Sequence, residues 1–161
     1  QIEIHGKTVS GKGQHVPPEQ RQVGMVFQDY ALFPHLNVRD NIAFGLRALA
    51  GADRTSRVAE MLDLVGMQNL ETRFPHQLSG GQQQRTAIAR AVVAKPKLIL
   101  ADEPTGNLDS ANGEEVMKLL TQLNDEGTSI IMVTHSPYDA GFAHRIINLF
   151  DGKVVTEKVR V

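Results

Sequence analysis

The stretch KLILADEP, residues 97–104, decides the fold of this chain. The four apolar residues from Leu98 to Ala101 favour a strand that is buried on both faces, which is typical of a parallel sheet. Asp102 and Glu103 follow at the carboxyl end of this strand, the edge at which open α/β sheets bind ligands. The two acids can also form a solvent-exposed turn, so this stretch by itself leaves a catalytic and a structural interpretation open.

Two other apolar segments predict strands that accompany this one: VGMVFQ at residues 23–28 and SIIMVTH at residues 129–135. Segments with helical periodicity lie between the strands, and this alternation predicts an α/β fold with a mostly parallel sheet flanked by helices. We expect residues from about 36 to 92 to form an inserted helical subdomain plus its adjoining helix. Residues 1–35 and 93–161 then form the remaining core.

The composition limits the classes of function. A chain of 161 residues, 41% apolar and 22% charged, is typical of one ordinary soluble globular domain. The net charge of −1 argues against binding nucleic acid or an anionic membrane through bulk charge. The absence of cysteine excludes disulfides, thiolate catalysis and cysteine-ligated zinc. Since no apolar run has the roughly 18 to 20 residues that span a bilayer, a link to a membrane is expected to go through a partner.

The segment LSGGQ, residues 78–82, is a candidate anion site because it opens a predicted helix. Ser79 and Gln82 have the spacing of a capping box. Gly80 and Gly81 leave backbone N–H groups open to close approach at the positive end of the helix dipole. The alternative is an ordinary capped helix with a flexible start.

Polar residues also end the two other predicted strands. Gln28 ends the first and His135 ends the last, so a parallel sheet places both along one crevice with Asp102 and Glu103. There His135 can bond a phosphate or an attacking water, and its alternative is a structural histidine. Asp109, in GNLDS, is consistent with a turn and a helix cap.

Taken in chain order, these segments resemble the ATP-binding-cassette (ABC) ATPase family. Two segments carry the resemblance: LSGGQQQR at residues 78–85 and, after it, LILADEPTGNLD at residues 98–109. The resemblance extends over essentially the whole chain. It implies a P-loop NTPase-like (RecA-like) fold with an inserted ABC helical subdomain. It also implies ATP and Mg²⁺ as cofactors.

The resemblance assigns a role to each matched residue at the sheet edge. Gln28 is similar to the Q-loop glutamine, which contacts Mg²⁺ or water. Asp102 resembles the Walker B aspartate, a metal ligand. Glu103 is similar to the catalytic glutamate, and His135 resembles the switch histidine.

The same resemblance assigns roles at a dimer interface. Ser79, Gly80, Gly81 and Gln82 resemble the signature motif, which binds the γ-phosphate held by the opposite protomer. Asp109 resembles the D-loop aspartate, which communicates across the dimer.

The implied function is the ATP-hydrolysing subunit of an ABC membrane transporter. Its implied partners are transmembrane permease subunits and a second nucleotide-binding domain, without nucleic acid. The implied location is the cytoplasm, at the inner face of the cell membrane through the permease. The segment DYALFPHLNVRDNIAFGL, residues 29–46, resembles the part that receives a permease coupling helix. Four residues of this segment either line the groove that receives the coupling helix or belong to the core of the helical subdomain: Tyr30, Leu32, Phe33 and Leu36.

The opening QIEIHGKTVSGKG, residues 1–13, contains Gly6-Lys7-Thr8, the last residues of a P-loop motif. A P-loop needs a strand before it and a helix after it, and the glycines of this stretch, with Pro17 and Pro18 that follow it, exclude a helix here. We predict a strand and a turn, with the Walker A strand and helix missing, and therefore weak ATP binding and negligible hydrolysis by this chain alone.

Two alternatives to the transporter ATPase differ in class. A non-hydrolysing regulatory or interaction module with the same fold is favoured by the missing P-loop, whereas the presence of Glu103 and His135 argues against it. DNA-repair or chromosome ATPases carry a long coiled coil before the signature motif. Here only about 50 residues separate Gln28 from Leu78, and heptad repeats are absent.

Overall fold

The computed structural model describes residues 1–4, 6–11, 13–46 and 51–159. Its strands are β1 (Ile2–Ile4), β2 (Lys7–Gly11), β3 (Gln14–His15), β4 (Val23–Val26), β5 (Leu98–Asp102), β6 (Ser129–Val133), β7 (Arg145–Phe150) and β8 (Lys153–Val159). Its α-helices are α1 (Val38–Ala43), α2 (Gly51–Leu64), α3 (Gly80–Val92), α4 (Ser110–Asp125) and α5 (Pro137–Ala140). Short 3₁₀ helices occupy Pro18–Gln20, Phe44–Leu46, Gln68–Leu70 and Pro75–Gln77.

The central feature is a parallel sheet in the order β4-β5-β6. It confirms the predicted α/β fold, with the KLILADEP strand between the other two. Val26, Ile99 and Ala101 are at most 2% exposed and belong to one core cluster with residues of α3 and α4. On the opposite face, Met25 and Ile131 lie in register on either side of Leu100 and are 46% and 57% exposed. The expectation that the strands are buried on both faces is therefore wrong for this face among the described residues.

Helices α1, α2 and α3 form the layer that follows β4 in the chain. The apolar periodicity of α2 is satisfied by burial, since Val58, Met61 and Leu62 are 3–4% exposed. Asn41 of α1 is fully buried, and its side-chain amide donates to the backbone carbonyls of Phe33, Leu36 and Asn37 at 2.9–3.1 Å. These bonds tie the loop after β4 to the helical layer, because a buried amide has to be paired.

The first described residues form a small antiparallel sheet in the order β1-β2-β3. Gly6 has a φ of 73° in the turn, while Lys7 and Thr8 lie in β2. The prediction that Gly6-Lys7-Thr8 belongs to a strand and a turn is therefore confirmed.

The last two strands, β7 and β8, form an antiparallel hairpin. Asp151 and Gly152 connect them with φ values of 45° and 72°, as the Asp-Gly pair predicts. Within the part of the chain that the structure describes, no helix has both the length and the apolar character to cross a membrane.

Candidate functional site

Glu103 and His135 meet at the carboxyl ends of β5 and β6. His135 Nδ1 lies 2.8 Å from Glu103 Oε1, and the His135 backbone N–H donates to the same oxygen at 2.9 Å. The Thr134 hydroxyl donates to Glu103 Oε2 at 3.2 Å. The Glu103 side chain is 17% exposed and that of His135 is 84% exposed, so a mostly buried carboxylate holds an imidazole that faces solvent. The structure brings together the two residues that the sequence placed in one crevice.

The backbone of Glu103 makes this contact possible. Its φ is 43°, in the left-handed region that a residue with a Cβ rarely adopts. The Glu103 N–H still donates to Val133 O at 2.9 Å, and the Glu103 carbonyl accepts from Gly106 N at 3.0 Å. The strand therefore ends in a tight turn, and the carboxylate of Glu103 reaches the loop that follows β6. Sequence patterns contain no signal for this conformation.

Asp102 is the last residue of β5, opposite Val133 in the register, and it is exposed. Within residues 1–4, 6–11, 13–46 and 51–159, no group of three or more His, Cys, Asp or Glu side chains has the arrangement of a metal site. Mg²⁺ normally binds one or two protein oxygen ligands together with substrate phosphates and waters. The carboxylate of Asp102 and the amide of Gln28 carry oxygen atoms of the type that such a site uses, and their role as metal ligands stays a prediction.

Gln28 lies against the loop that follows the Glu103 turn. Its Nε2 approaches Asn107 Oδ1 at 3.4 Å, and Asn107 Nδ2 donates to Gln28 O at 3.1 Å. A Cβ on Gly106 would lie 2.8 Å from Gln28 Nε2, so a side chain at position 106 would displace the Gln28 amide. Gln28 is thus held beside the loop that connects β5 to α4.

Ser79 is the N-cap of α3. Its hydroxyl accepts from Gln82 N at 3.3 Å, while Gln82 Oε1 accepts from Ser79 N at 2.9 Å. The predicted capping box is confirmed, and it satisfies two backbone donors at the start of the helix.

The glycines of the same segment are required by contacts within the chain. A Cβ on Gly80 would lie 2.8 Å from the Tyr30 hydroxyl, and one on Gly81 would lie 2.1 Å from Asn112 Oδ1. The start of α3 therefore packs closely against the loop after β4 and against α4. Sequence reasoning missed Tyr30 and Asn112 as neighbours of this segment, because nothing local marks a contact between residues so far apart in the chain.

Asp109 is the N-cap of α4. Its carboxylate accepts from Asn112 N at 2.9 Å and from Asn112 Nδ2 at 2.8 Å. The backbone and side-chain hydrogen bonds from Asn112 lower the pKa of this carboxyl. Asp109 therefore orients the residue that contacts Gly81.

The side chain of Tyr30 lies between the loop after β5 and the start of α3. Its hydroxyl donates to Asn107 O at 3.4 Å, and burial, followed by the charge of Asp29, raises its pKa. Arg90 of α3 donates to Tyr30 O at 3.1 Å and to Ala31 O at 2.7 Å, and both acceptor residues have positive φ. Burial lowers the pKa of Arg90. These bonds fix the loop after β4 so that Tyr30 reaches Gly80.

The other residues expected in a groove or a core are half-buried: Leu32, Phe33 and Leu36. The Phe33 ring lies 4.3 Å from the ring of Phe44, and the Arg90 guanidinium lies 5.5 Å from the centre of the Phe33 ring. Phe33 therefore packs on the helical layer, while its place in a groove stays a prediction.

Comparisons of the chain with family profiles, curated proteins and solved structures all indicate the same family. The profile of the ABC transporter family matches residues 1–106. The cell division ATP-binding protein FtsE of Streptococcus pneumoniae is 47% identical over 151 residues, which are 91% of this chain. The spermidine/putrescine import ATP-binding protein PotA of Nitrosospira multiformis is 46% identical over 158 residues, 96% of this chain.

A solved structure agrees with these relatives. The dimeric structure of the ATP-binding cassette MJ0796 in a post-hydrolysis state, bound to ADP and Pi, superposes with a TM-score of 0.76 at 42% identity. The match covers 88% of this chain and 65% of that chain. This chain likewise spans 65% of the length of the S. pneumoniae relative and 42% of the N. multiformis relative.

Proposed function

The chain belongs to the ABC transporter family, and from this premise we propose that it is the nucleotide-binding, ATP-hydrolysing part of a membrane transporter subunit. The observation that carries the proposal is the contact between Glu103 and His135 at the carboxyl edge of the sheet. A largely buried carboxylate that holds an exposed imidazole provides a base and a phosphate-binding group side by side.

In this proposal Glu103 and His135 are the catalytic residues. Glu103 orients and polarises the attacking water. An ionised carboxylate has about four acceptor sites, and among the described residues His135 and Thr134 use three of them. The bond between Glu103 and Nδ1 leaves Nε2 of the exposed His135 ring to donate to a phosphate oxygen when that nitrogen carries a proton.

We assign the cofactors ATP and Mg²⁺ to the edge next to this pair. Asp102 and Gln28 would hold the Mg²⁺, since both offer oxygen ligands. When bound, the metal neutralises charge on the phosphates. The two side chains would hold it at this edge of the sheet.

The segment from Ser79 to Gln82, together with Asp109, would face a second nucleotide-binding domain. The N-terminus of α3 offers backbone N–H groups and a positive dipole end to a phosphate, as in other helix-terminal anion sites. The dimeric state of the MJ0796 cassette supports a paired arrangement. Asp109, through its contact with Asn112, would connect that interface to α4.

The proposed partners beyond the dimer are transmembrane permease subunits, which would hold the protein at the cytoplasmic face of the membrane. We propose that about residues 36–92, with α1, α2 and α3, form the helical subdomain that receives the permease. Residues 1–35 and 93–161 would form the core that holds the nucleotide.

The test is hydrolysis by the full-length gene product, purified alone and with its permease. We expect Mg²⁺-dependent release of phosphate from ATP and an ATP-dependent shift from monomer to dimer in size-exclusion chromatography with light scattering. Absence of both with folded protein and its permease would refute the proposal.

A further inference from the structure

Gln84 is a buried polar side chain whose position the fold alone does not explain. It lies on α3, two residues after the capping box, and it is 0% exposed. Its Oε1 has no hydrogen-bond partner among the described residues, which makes it a buried acceptor that lowers stability. A methionine or leucine would fill such a site without this loss.

Among the described residues, the side chain of Gln84 makes one hydrogen bond, and it leads to the turn that carries Glu103. Gln84 Nε2 donates to the backbone carbonyl of Pro104 at 2.5 Å. Pro104 is the residue after Glu103, and its own side chain is less than 2% exposed. Gln84 therefore connects the helix that opens with LSGGQ to the turn that carries the carboxylate.

That turn needs support from outside. Glu103 has a φ of 43°, and such unfavourable conformations persist only where the surrounding structure holds them. On the side of α5, Thr105 Oγ1 donates to the buried carboxylate of Asp139 at 2.5 Å. On the side of α3, Gln84 holds Pro104. The turn is thus held from two helices.

From this geometry we infer that Gln84 is a positioning residue: its amide, through Pro104, keeps Glu103 in contact with His135. Only one part of this inference rests on the proposed function, namely the expected effect of Gln84 on ATP hydrolysis. Gln84 does not reach the reacting atoms, so its effect is on the geometry of Glu103.

The first test uses amide hydrogen exchange by NMR and needs no nucleotide. The His135 N–H is protected by Glu103 Oε1, so in Gln84→Met we expect about a tenfold faster exchange at His135, the size of one net hydrogen bond. The Gly113 N–H, which donates to Asp109 O, serves as an internal reference that stays unchanged. Gln84→Leu is the second variant in case the first does not fold.

The matched control is Gln83→Met on the same helix. The Gln83 side chain donates to the Leu78 carbonyl instead of the Pro104 carbonyl, so its loss should leave exchange at His135 unchanged. If the His135 N–H exchanges at the wild-type rate in a folded Gln84 variant, the inference is overturned.

The second test is steady-state ATP hydrolysis by the full-length gene product. We expect Gln84→Met to lower kcat by about 10- to 100-fold, because small displacements of a catalytic group have effects of that size, with an unchanged KM for ATP. The Gln83→Met variant should keep the wild-type kcat. If wild type does not hydrolyse ATP, the proposed function fails while the exchange experiment still decides the role of Gln84. A raised KM with wild-type kcat would contradict the positioning role.

Discussion

Glu103 combines a left-handed backbone with a mostly buried carboxylate, and both features direct it to His135. An unfavourable conformation at a functional residue is common, because the fold elsewhere supplies the free energy that holds it. Here that support comes from hydrogen bonds of the turn itself and from its neighbours in β6, α3 and α5. The proposed base thus has an unfavourable backbone conformation that its surroundings hold in place.

His135 is the residue whose loss should separate catalysis from folding. In His135→Ala we expect kcat for ATP hydrolysis to fall by about 10² to 10³-fold, the effect of removing one donor to a developing charge. Since its side chain is 84% exposed, the free energy of unfolding should change by no more than about 0.5 kcal/mol. Enzyme kinetics and urea unfolding on the same preparation test both parts. A large loss of stability, or unchanged kcat, would contradict the assignment.

Gly81 provides a test of the packing at the start of α3. Gly→Ala inside a helix normally stabilises by about 0.5–1 kcal/mol, but a Cβ at Gly81 would overlap Oδ1 of Asn112 at 2.1 Å and lie 2.6 Å from its Cγ. We therefore expect Gly81→Ala to destabilise by about 1–3 kcal/mol in thermal or urea unfolding.

Gly113→Ala is the matched control for this substitution. It lies in α4, where an added Cβ meets Thr105 at 3.6 Å, an ordinary contact. It should be neutral or stabilising. Equal effects of Gly81→Ala and Gly113→Ala would show that Asn112 does not pack against Gly81 as described.

At the scale of elements, side chains at helix starts build the proposed interface. Ser79 caps α3, and Asp109 caps α4, so both loops are fixed by the helices that they begin. The two helix starts then meet through Gly81 and Asn112. Local capping thus places the two segments that the family resemblance assigns to a dimer face.

The cap of α4 makes a specific prediction for pH. Because the Asn112 hydrogen bonds lower the pKa of Asp109 in the folded state, its contribution to stability is fully present above its unfolded pKa of about 3.9. That contribution is lost as the pH falls through the lower folded pKa. The free energy of unfolding, measured with urea between pH 7 and 3, should therefore fall more steeply in wild type than in Asp109→Asn. The asparagine keeps a hydrogen-bond acceptor but does not titrate. Parallel curves for the two proteins would contradict the capping role.

At the scale of the whole molecule, the sequence predicts the sheet better than the site. The apolar runs predict the positions of β4, β5 and β6, because strands of a parallel sheet are rich in apolar residues. They do not predict that one face of this sheet is exposed at Met25 and Ile131. The first and last runs extend to Gln28 and His135, whereas β4 ends at Val26 and β6 at Val133. In both segments, the terminal polar residue lies beyond the hydrogen-bonded strand and contacts other loops.

The site follows from the sequence only in part. Chain order and sheet topology bring Glu103 to His135, since parallel neighbours share one edge. The positive φ of Glu103 and the contacts of Tyr30 and Gln84 depend on tertiary packing between distant segments. Periodicity and local spacing carry no information about such contacts, so these residues could be found only from the fold.

The central claim is that Glu103 supplies the base for ATP hydrolysis, and Glu103→Gln in the full-length gene product tests it most directly. The amide keeps the size of the side chain and an oxygen for the bond with His135, but it cannot take up a proton. We expect phosphate release to fall to the background rate while binding of Mg²⁺–ATP, measured by fluorescence of a labelled nucleotide, is retained. Hydrolysis by Glu103→Gln at the wild-type rate would contradict the claim.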